Sequence, residues 1–311
     1  MTTPKTISIV IPVYSNEKSL NLLFEQLIIV EKKLEVKNLV TQLIFVDDGS
    51  KDNSLSLLLN IKKQRPKTTV VKLTKNFGAA SCYKTGLQFV TGDAFIIFAA
   101  DLQDPPELIL EMVDEWMEGN KYIICERISR NDPWTSKIFS LIYYKLLRLL
   151  VIKDYPKGGY NVALLDKAFL PILLNSAKSA FTPILAFWVG YTPKVISYHR
   201  PARPHGKSSW TFAKKFSAFM DVFLGFSITP IRIVTSIGLI VSALSFLYGI
   251  LIIIGSFLQK IPIQGFATLA VLITFLLGLI VLMLGVIGEY LWRIFDETNK
   301  RPESVIEEVW S

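Results

Sequence analysis

The sequence predicts a parallel α/β domain followed by a hairpin of two membrane-spanning helices, on three observations. Short apolar runs alternate with segments of helical period through the first 130 residues, the pattern of βαβ units. Ile233 to Leu258 and Ile261 to Gly288 contain no charged residue, and each exceeds the roughly 20 residues that a helix needs to cross a bilayer. Apolar residues make up 51% of the 311-residue chain and charged ones 19%, with mean hydropathy +0.40, whereas a soluble chain has about 25% charged residues.

The expected strands are Ile7 to Val13, Leu43 to Val46, Thr69 to Leu73, Ala94 to Ala99 and Tyr122 to Cys125. A helix from Asn16 through Leu20, Leu23, Phe24, Leu27 and Ile28 links the first two. Open parallel sheets bind ligands outside the carboxyl ends of their strands. The residues expected there are Tyr14 and Glu17, Asp47 and Asp48, Lys75 and Asn76, then Asp101, Gln103 and Asp104. Taken singly, Asp48-Gly49-Ser50 also reads as a plain turn, and Ser50 or Asn53 as a helix cap.

Two amphipathic stretches follow. One, at about 134–151, sets Trp134, Ile138, Leu141, Ile142, Leu146 and Leu149 on one face and Lys137, Tyr144 and Arg148 on another, a pattern suited to the membrane interface. The other, Trp210 to Phe226, gathers Phe212, Phe216, Phe219, Met220 and Phe223. Arg232 precedes the first span, and Arg293, Lys300 and Arg301 follow the second, so the positive-inside rule places both ends of the hairpin in the cytoplasm. Met1 to Lys5 lead directly into a strand with no signal-peptide core,. The expected organisation is a cytoplasmic catalytic domain over 1–206, a juxtamembrane helix over 207–229, two transmembrane helices over 230–292 and a cytoplasmic tail over 293–311.

Cys82 and Cys125 are too few for a disulfide scaffold, and with His199 and His205 they lack zinc-ligand spacing,. The net charge of +8 suits nucleic acid, an anionic membrane surface or a phosphorylated substrate. A nucleic-acid partner is disfavoured because no recognition motif accompanies the charge. Phosphate-loop, dinucleotide and serine-hydrolase motifs are absent. Asp101 and Gln103, two apart and expected on one side of an extended strand, offer oxygen ligands to Mg²⁺ or Mn²⁺, which takes its remaining ligands from water and substrate phosphates.

The segments Ser8 to Tyr14 with Asn16-Glu17, Val46 to Ser54, Asn76-Phe77-Gly78 and Asp101-Leu102-Gln103-Asp104-Pro105-Pro106-Glu107 together resemble glycosyltransferase family 2. Within it they resemble the polyprenyl-phosphate glycosyltransferases, the group of bactoprenol glucosyltransferase and dolichyl-phosphate mannose synthase. The likeness extends through Arg200, Arg203, Gly206, Lys207, Ser208 and both spans. It implies a GT-A (Rossmann-like) catalytic domain that moves a sugar from a nucleotide sugar to a polyprenyl phosphate, with inversion, at the cytoplasmic face of the inner cell membrane. UDP-glucose is the donor read first and GDP-mannose or another nucleotide sugar the alternative.

Under that resemblance Pro12, Tyr14, Glu17, Asp47, Asp48 and Lys75 bind the nucleotide with Asp101, while Asp101 and Gln103 hold the metal. Arg200, Arg203 and Lys207 serve catalysis by facing the phosphates, and Arg127, Arg130 and Ser208 receive the acceptor phosphate. A homo-oligomer is implied too, as are a downstream flippase and a second glycosyltransferase. Two departures stand out: Ala99 occupies the place of the first acid of an Asp-x-Asp pair, and Asn161 follows Gly158-Gly159-Tyr160 where relatives often carry an acid. They motivate the rival reading of a non-catalytic, membrane-bound nucleotide-sugar-binding protein.

Overall fold

Strands buried on both faces need near-continuous apolar runs, and Ile7 to Ile11, broken only by the buried Ser8, and Leu43 to Val46 supply them. The computed structural model describes residues 4–127, 134–156, 159–177, 182–199, 223, 225–227, 229–257, 265–299 and 301–311. The chain divides into two compact units, Met1–Phe219 with Pro302–Ser311, and Met220–Arg301.

The first unit runs β1 (Lys5–Val13), α1 (Leu20–Val36), β2 (Leu39–Asp47), α2 (Ser54–Gln64), β3 (Thr69–Leu73), α3 (Ala79–Leu87), β4 (Ala94–Ile97), α4 (Leu108–Met117), β5 (Tyr122–Arg127) and α5 (Trp134–Leu150). It continues through β6 (Tyr160–Asp166), α6 (Leu170–Leu174), α7 (Thr182–Trp188) and β7 (Lys194–Tyr198), and ends with β8 (Ile306–Trp310). One eight-stranded sheet has the order β7-β5-β6-β4-β1-β2-β3-β8. Strands β1 to β5 and β7 share one direction; β6 and β8 oppose it. The carboxyl ends of six strands therefore meet along one edge of the sheet.

Ile7, Ile9 and Ile11 pack with Leu23, Leu27, Leu58, Ile109 and Met112 in the main core. Alternation along β1 sends Val10 to the opposite face, under α3. The five expected strands are all present, β3 with the expected bounds and the other four with shifted ends. The helix expected from Asn16 begins instead at Leu20, because Asn16 serves the preceding loop: its side-chain oxygen accepts the Tyr14 N–H and its own N–H donates to Ser54 Oγ.

β8 changes the expected organisation most. Residues 302–311, read from sequence as part of a separate tail, belong to the first unit. Val71 pairs with Val309 and Val70 with Trp310 in the antiparallel β3–β8 ladder. Thr74 N–H donates to Val305 O, and ion pairs join Lys84 to Glu303 at 2.5 Å and Lys72 to Glu307 at 2.8 Å. Thr85 and Ser304 share a hydroxyl hydrogen bond of 2.6 Å.

The second unit contains α8 (Thr229–Phe257) and α9 (Phe266–Thr298). Thr229–Leu251 and Phe275–Thr298 each have mean hydropathy 2.1 with outward-facing side chains, so both are long and apolar enough to cross a membrane,. Gly238 lies against Met283, so the two helices touch. Apart from Phe223, Gly225 and Phe226, the expected helix Trp210–Phe226 lies outside the described residues.

Candidate active site

The loops after β1 and β2 are laced into one wall. Ser15 N–H donates to Ser50 Oγ, Glu17 N–H to an Asp52 oxygen and Asn53 N–H to Glu17 Oε2. Ser15 adopts φ +54 within this loop. Glu17, expected in the nucleotide pocket, thus spends a carboxylate oxygen on the N-terminus of α2, where the helix dipole favours negative charge. Tyr14 is 46% exposed at the strand ends, where an aromatic side chain offers a flat surface for a base.

Asp47 and Asp48 are both buried. Burial pushes the Asp47 carboxyl above its usual range, against the opposing pull of Ser50. Asp48 accepts Phe77 N–H at 2.7 Å and Gly78 N–H at 2.9 Å, one with each oxygen. Its carboxylate therefore clamps the β3–α3 loop at the start of α3, a role that residue type alone does not reveal. Gly49 makes the clamp possible: it has φ +65, and a Cβ there would lie 2.7 Å from the Lys75 carbonyl carbon. Gly49→Ala is expected to cost about 1–3 kcal/mol of stability. Thermal melts check this, and an unchanged melting temperature would show that the close approach is relaxed without cost.

Lys75 is exposed, its ammonium 5.1 Å from the centre of the Phe77 ring. Asp101 and Gln103 follow β4 in a different geometry from the one expected. β4 stops at Ile97, Leu102 takes φ +55, and Gln103 N–H donates to Asp101 Oδ1 at 3.2 Å. The two side chains sit on a tight bend and not on an extended strand, because Asp101 turns the backbone on itself. Among the described residues no cluster of three acidic, histidine or cysteine side chains forms. One carboxylate and one amide oxygen fit a hard cation that keeps water and takes substrate phosphates, and do not fit a closed protein cage.

Arg127 ends β5 at the same edge, close enough to Tyr155 for its charge to act on that hydroxyl. Pro12 sits in β1 opposite Val46. The structure thus brings Pro12, Tyr14, Asp47, Lys75, Asp101, Gln103 and Arg127 to one edge of the sheet, with Asp48 and Glu17 as supports. Arg130, Arg200, Arg203, Lys207 and Ser208 lie outside the described residues. Asn161 begins β6 at this edge and is exposed.

One further correction concerns the surroundings. Tyr144, assigned from sequence to the polar face of α5, turns inward: it stacks on Tyr155 with ring centroids 6.0 Å apart and fills the space beside Gly159, where φ is +66. Leu147 is buried on that side, while Leu141 and Leu149 are exposed on the other. Cys82 and Cys125 are buried free thiols. Burial pushes the Cys125 thiol up to about 12 and raises that of Cys82 as well, as expected for inert core cysteines.

Residues 8–169 match the model of Glycosyl transferase family 2. An uncharacterized glycosyltransferase from Synechocystis sp. is 34% identical over 98% of this chain and 95% of its own length. A bactoprenol glucosyl transferase from Shigella phage SfX is 30% identical over 96% of this chain and 98% of its own. Among solved structures, the Mycobacterium tuberculosis glucosyl-3-phosphoglycerate synthase with Mn²⁺ and UDP-glucose has a TM-score of 0.47 at 15% identity, covering 69% of this chain and 75% of that one. With its match to the family model and its likeness to these relatives over nearly the whole length, the chain belongs to glycosyl transferase family 2 and is a glycosyltransferase.

Proposed function

We propose that the protein transfers glucose from UDP-glucose to a polyprenyl phosphate at the cytoplasmic face of the membrane, inverting the anomeric carbon. The observation that carries this reading is the likeness to a bactoprenol glucosyl transferase over 96% of the chain, which spans the apolar helices as well as the sheet. The two outward-facing apolar helices support membrane attachment. So does α5, whose exposed Leu141 and Leu149 lie near the exposed Lys145 and the part-exposed Arg148, a combination suited to an anionic interface.

The acceptor chemistry asks little of the protein in proton transfer. A phosphate monoester has a second pKa near 6, so at neutral pH most of it is a dianion ready to attack. One of its oxygens bonds to the anomeric carbon while the bond to the nucleoside diphosphate breaks, and the electron pair leaves with the diphosphate. The protein's work is to hold and aim two anionic groups. Tyr14 and Asp47 serve the base and ribose, Lys75 faces the diphosphate, and Arg127 receives the acceptor phosphate. Arg130, Arg200, Arg203, Lys207 and Ser208 complete the proposed phosphate-binding set. Asp101 and Gln103 are the residues that would hold Mg²⁺ or Mn²⁺, and the ion would offset charge on the departing diphosphate. The product, a sugar on a lipid phosphate, suits a route with a flippase and a second glycosyltransferase.

Incubating the purified full chain with labelled UDP- and GDP-sugars and undecaprenyl phosphate tests the reading. Label from UDP-glucose should appear in the lipid phase. Transfer from GDP-mannose alone would replace the donor assignment, and no lipid product from any donor would sink the proposal. Arg127→Ala is expected to raise KM for the lipid phosphate roughly tenfold, the value of one charge-assisted hydrogen bond, with UDP affinity unchanged. Steady-state kinetics with calorimetry check this, and equal loss of UDP binding would remove Arg127 from the acceptor site.

A further inference from the structure

The bend that presents Asp101 and Gln103 is held at alternate residues, each by a different part of the fold. Phe98 N–H donates to Val10 O at 2.9 Å, keeping the chain in line with β1 just past β4. Ala100 O accepts the Ser19 hydroxyl at 2.7 Å in a buried hydrogen bond. The Leu102 side chain packs against the main core although its backbone is left-handed. Asp104, 1% exposed, accepts a hydrogen bond from the hydroxyl of Tyr198, 6% exposed, at the end of β7. Residues 100, 102 and 104 face the protein, and the two between them carry the oxygen ligands.

This arrangement needs its anchors. A left-handed conformation is unfavourable for a non-glycine residue, and such strain persists only where the surroundings over-determine it. A buried carboxylate is likewise costly unless donors face it. We infer that Tyr198 is a positioning residue for the metal loop: by anchoring Asp104 it holds the bend at Leu102 and so keeps Asp101 and Gln103 in ligating geometry. The inference rests on the reading of Asp101 and Gln103 as the metal ligands. It also extends the site from β4 to β7, three strands away in the sheet and about a hundred residues away in sequence.

The test uses the full chain in detergent with two variants and two readouts. Tyr198→Phe keeps the ring and removes the hydroxyl; Asp104→Asn keeps an acceptor for that hydroxyl and removes the charge. Hydrogen–deuterium exchange of the peptide spanning residues 98–107 reads the bend directly, without metal. Titration with Mn²⁺ in the presence of UDP reads its consequence. Tyr198→Phe should speed exchange in that peptide and raise the Mn²⁺ dissociation constant about tenfold, the effect expected of losing a group that orients a ligand. UDP binding without metal should be unchanged, and Asp104→Asn should stay near wild type in both readouts.

Faster exchange with wild-type Mn²⁺ affinity would reduce Tyr198 to a structural residue. Parallel loss of metal-free UDP binding would do the same. Weakened Mn²⁺ binding in Asp104→Asn with unchanged exchange would mean that the charge of Asp104 acts directly, against the inference. If wild-type protein binds no Mn²⁺, the metal assignment in the proposed function falls, while the exchange data still decide whether Tyr198 holds the bend.

Discussion

Asp101→Ala is expected to abolish transfer, lowering the rate by on the order of a thousandfold or more. The reason lies in how few ligands the protein offers. On the reading of Asp101 and Gln103 as the ligands, Asp101 supplies the single carboxylate of the pair and Gln103 only a neutral oxygen, with Ala99 at the place of the first acid of the Asp-x-Asp pair in the family pattern that the sequence resembles. Excess EDTA should silence the wild-type protein to the same extent, with Mn²⁺ or Mg²⁺ restoring it. Ala99→Asp should tighten metal binding or leave it unchanged. Full turnover in EDTA would refute the metal assignment, and an inactive Ala99→Asp protein would refute the account of the bend as a site built on one acid. Radiochemical transfer assays measure all three.

The second large effect concerns stability. Removing residues 302–311 should cost about 3 kcal/mol, a shift of roughly 6–12 °C in melting temperature for a domain of this size. The deletion takes away the ladder to β3, the half-buried Trp310 and the ion pairs of Glu303 and Glu307. It also leaves β3 as an unpaired edge, so the shortened protein should aggregate more readily. Trp310→Ala should show part of the same loss. An unchanged melting temperature on deletion would show that β8 contributes nothing to the fold.

β8 also changes how the hairpin must be tested. Truncation before Pro230 removes the eighth strand together with the apolar helices. Replacing residues 230–298 with a flexible linker, β8 retained, isolates the anchor. That protein should lose far more transfer to long polyprenyl phosphate in membranes than to a short water-soluble prenyl phosphate.

The parts of the fold legible in the sequence were those with local signals. β1 to β5 announce themselves because strands buried on both faces are rich in apolar residues, and the two long uncharged runs are equally plain. β6, β7 and β8 were missed. Lys194–Tyr198 is short and mostly exposed, and Ile306–Trp310 carries Glu307 and Glu308 side by side on an edge. What defines β8 is its partner β3, and nothing within five residues encodes pairing at that distance. At the site, residue type and strand-end position marked Tyr14, Asp47, Lys75, Asp101 and Gln103. They did not mark Asp48 and Glu17 as supports, since a carboxylate looks the same whether it awaits a ligand or already holds a backbone N–H. Leu102 and Tyr198 carried no signal, because an apolar residue in a polar motif and a tyrosine at a strand end have many ordinary explanations.

The return of the chain to its own sheet has a consequence in time. Lys72 on β3 and Glu307 on β8 are 235 residues apart. At translation rates of about 5–20 residues per second, β3 waits on the order of 10–50 s for its neighbour to be made. Both apolar helices are synthesised within that interval. If they cross a bilayer, β8 reaches β3 only after an even number of crossings; a single crossing would strand it on the far side. Until β8 arrives the ribosome-bound chain exposes an open strand edge, a ready site for chaperones or for another nascent copy.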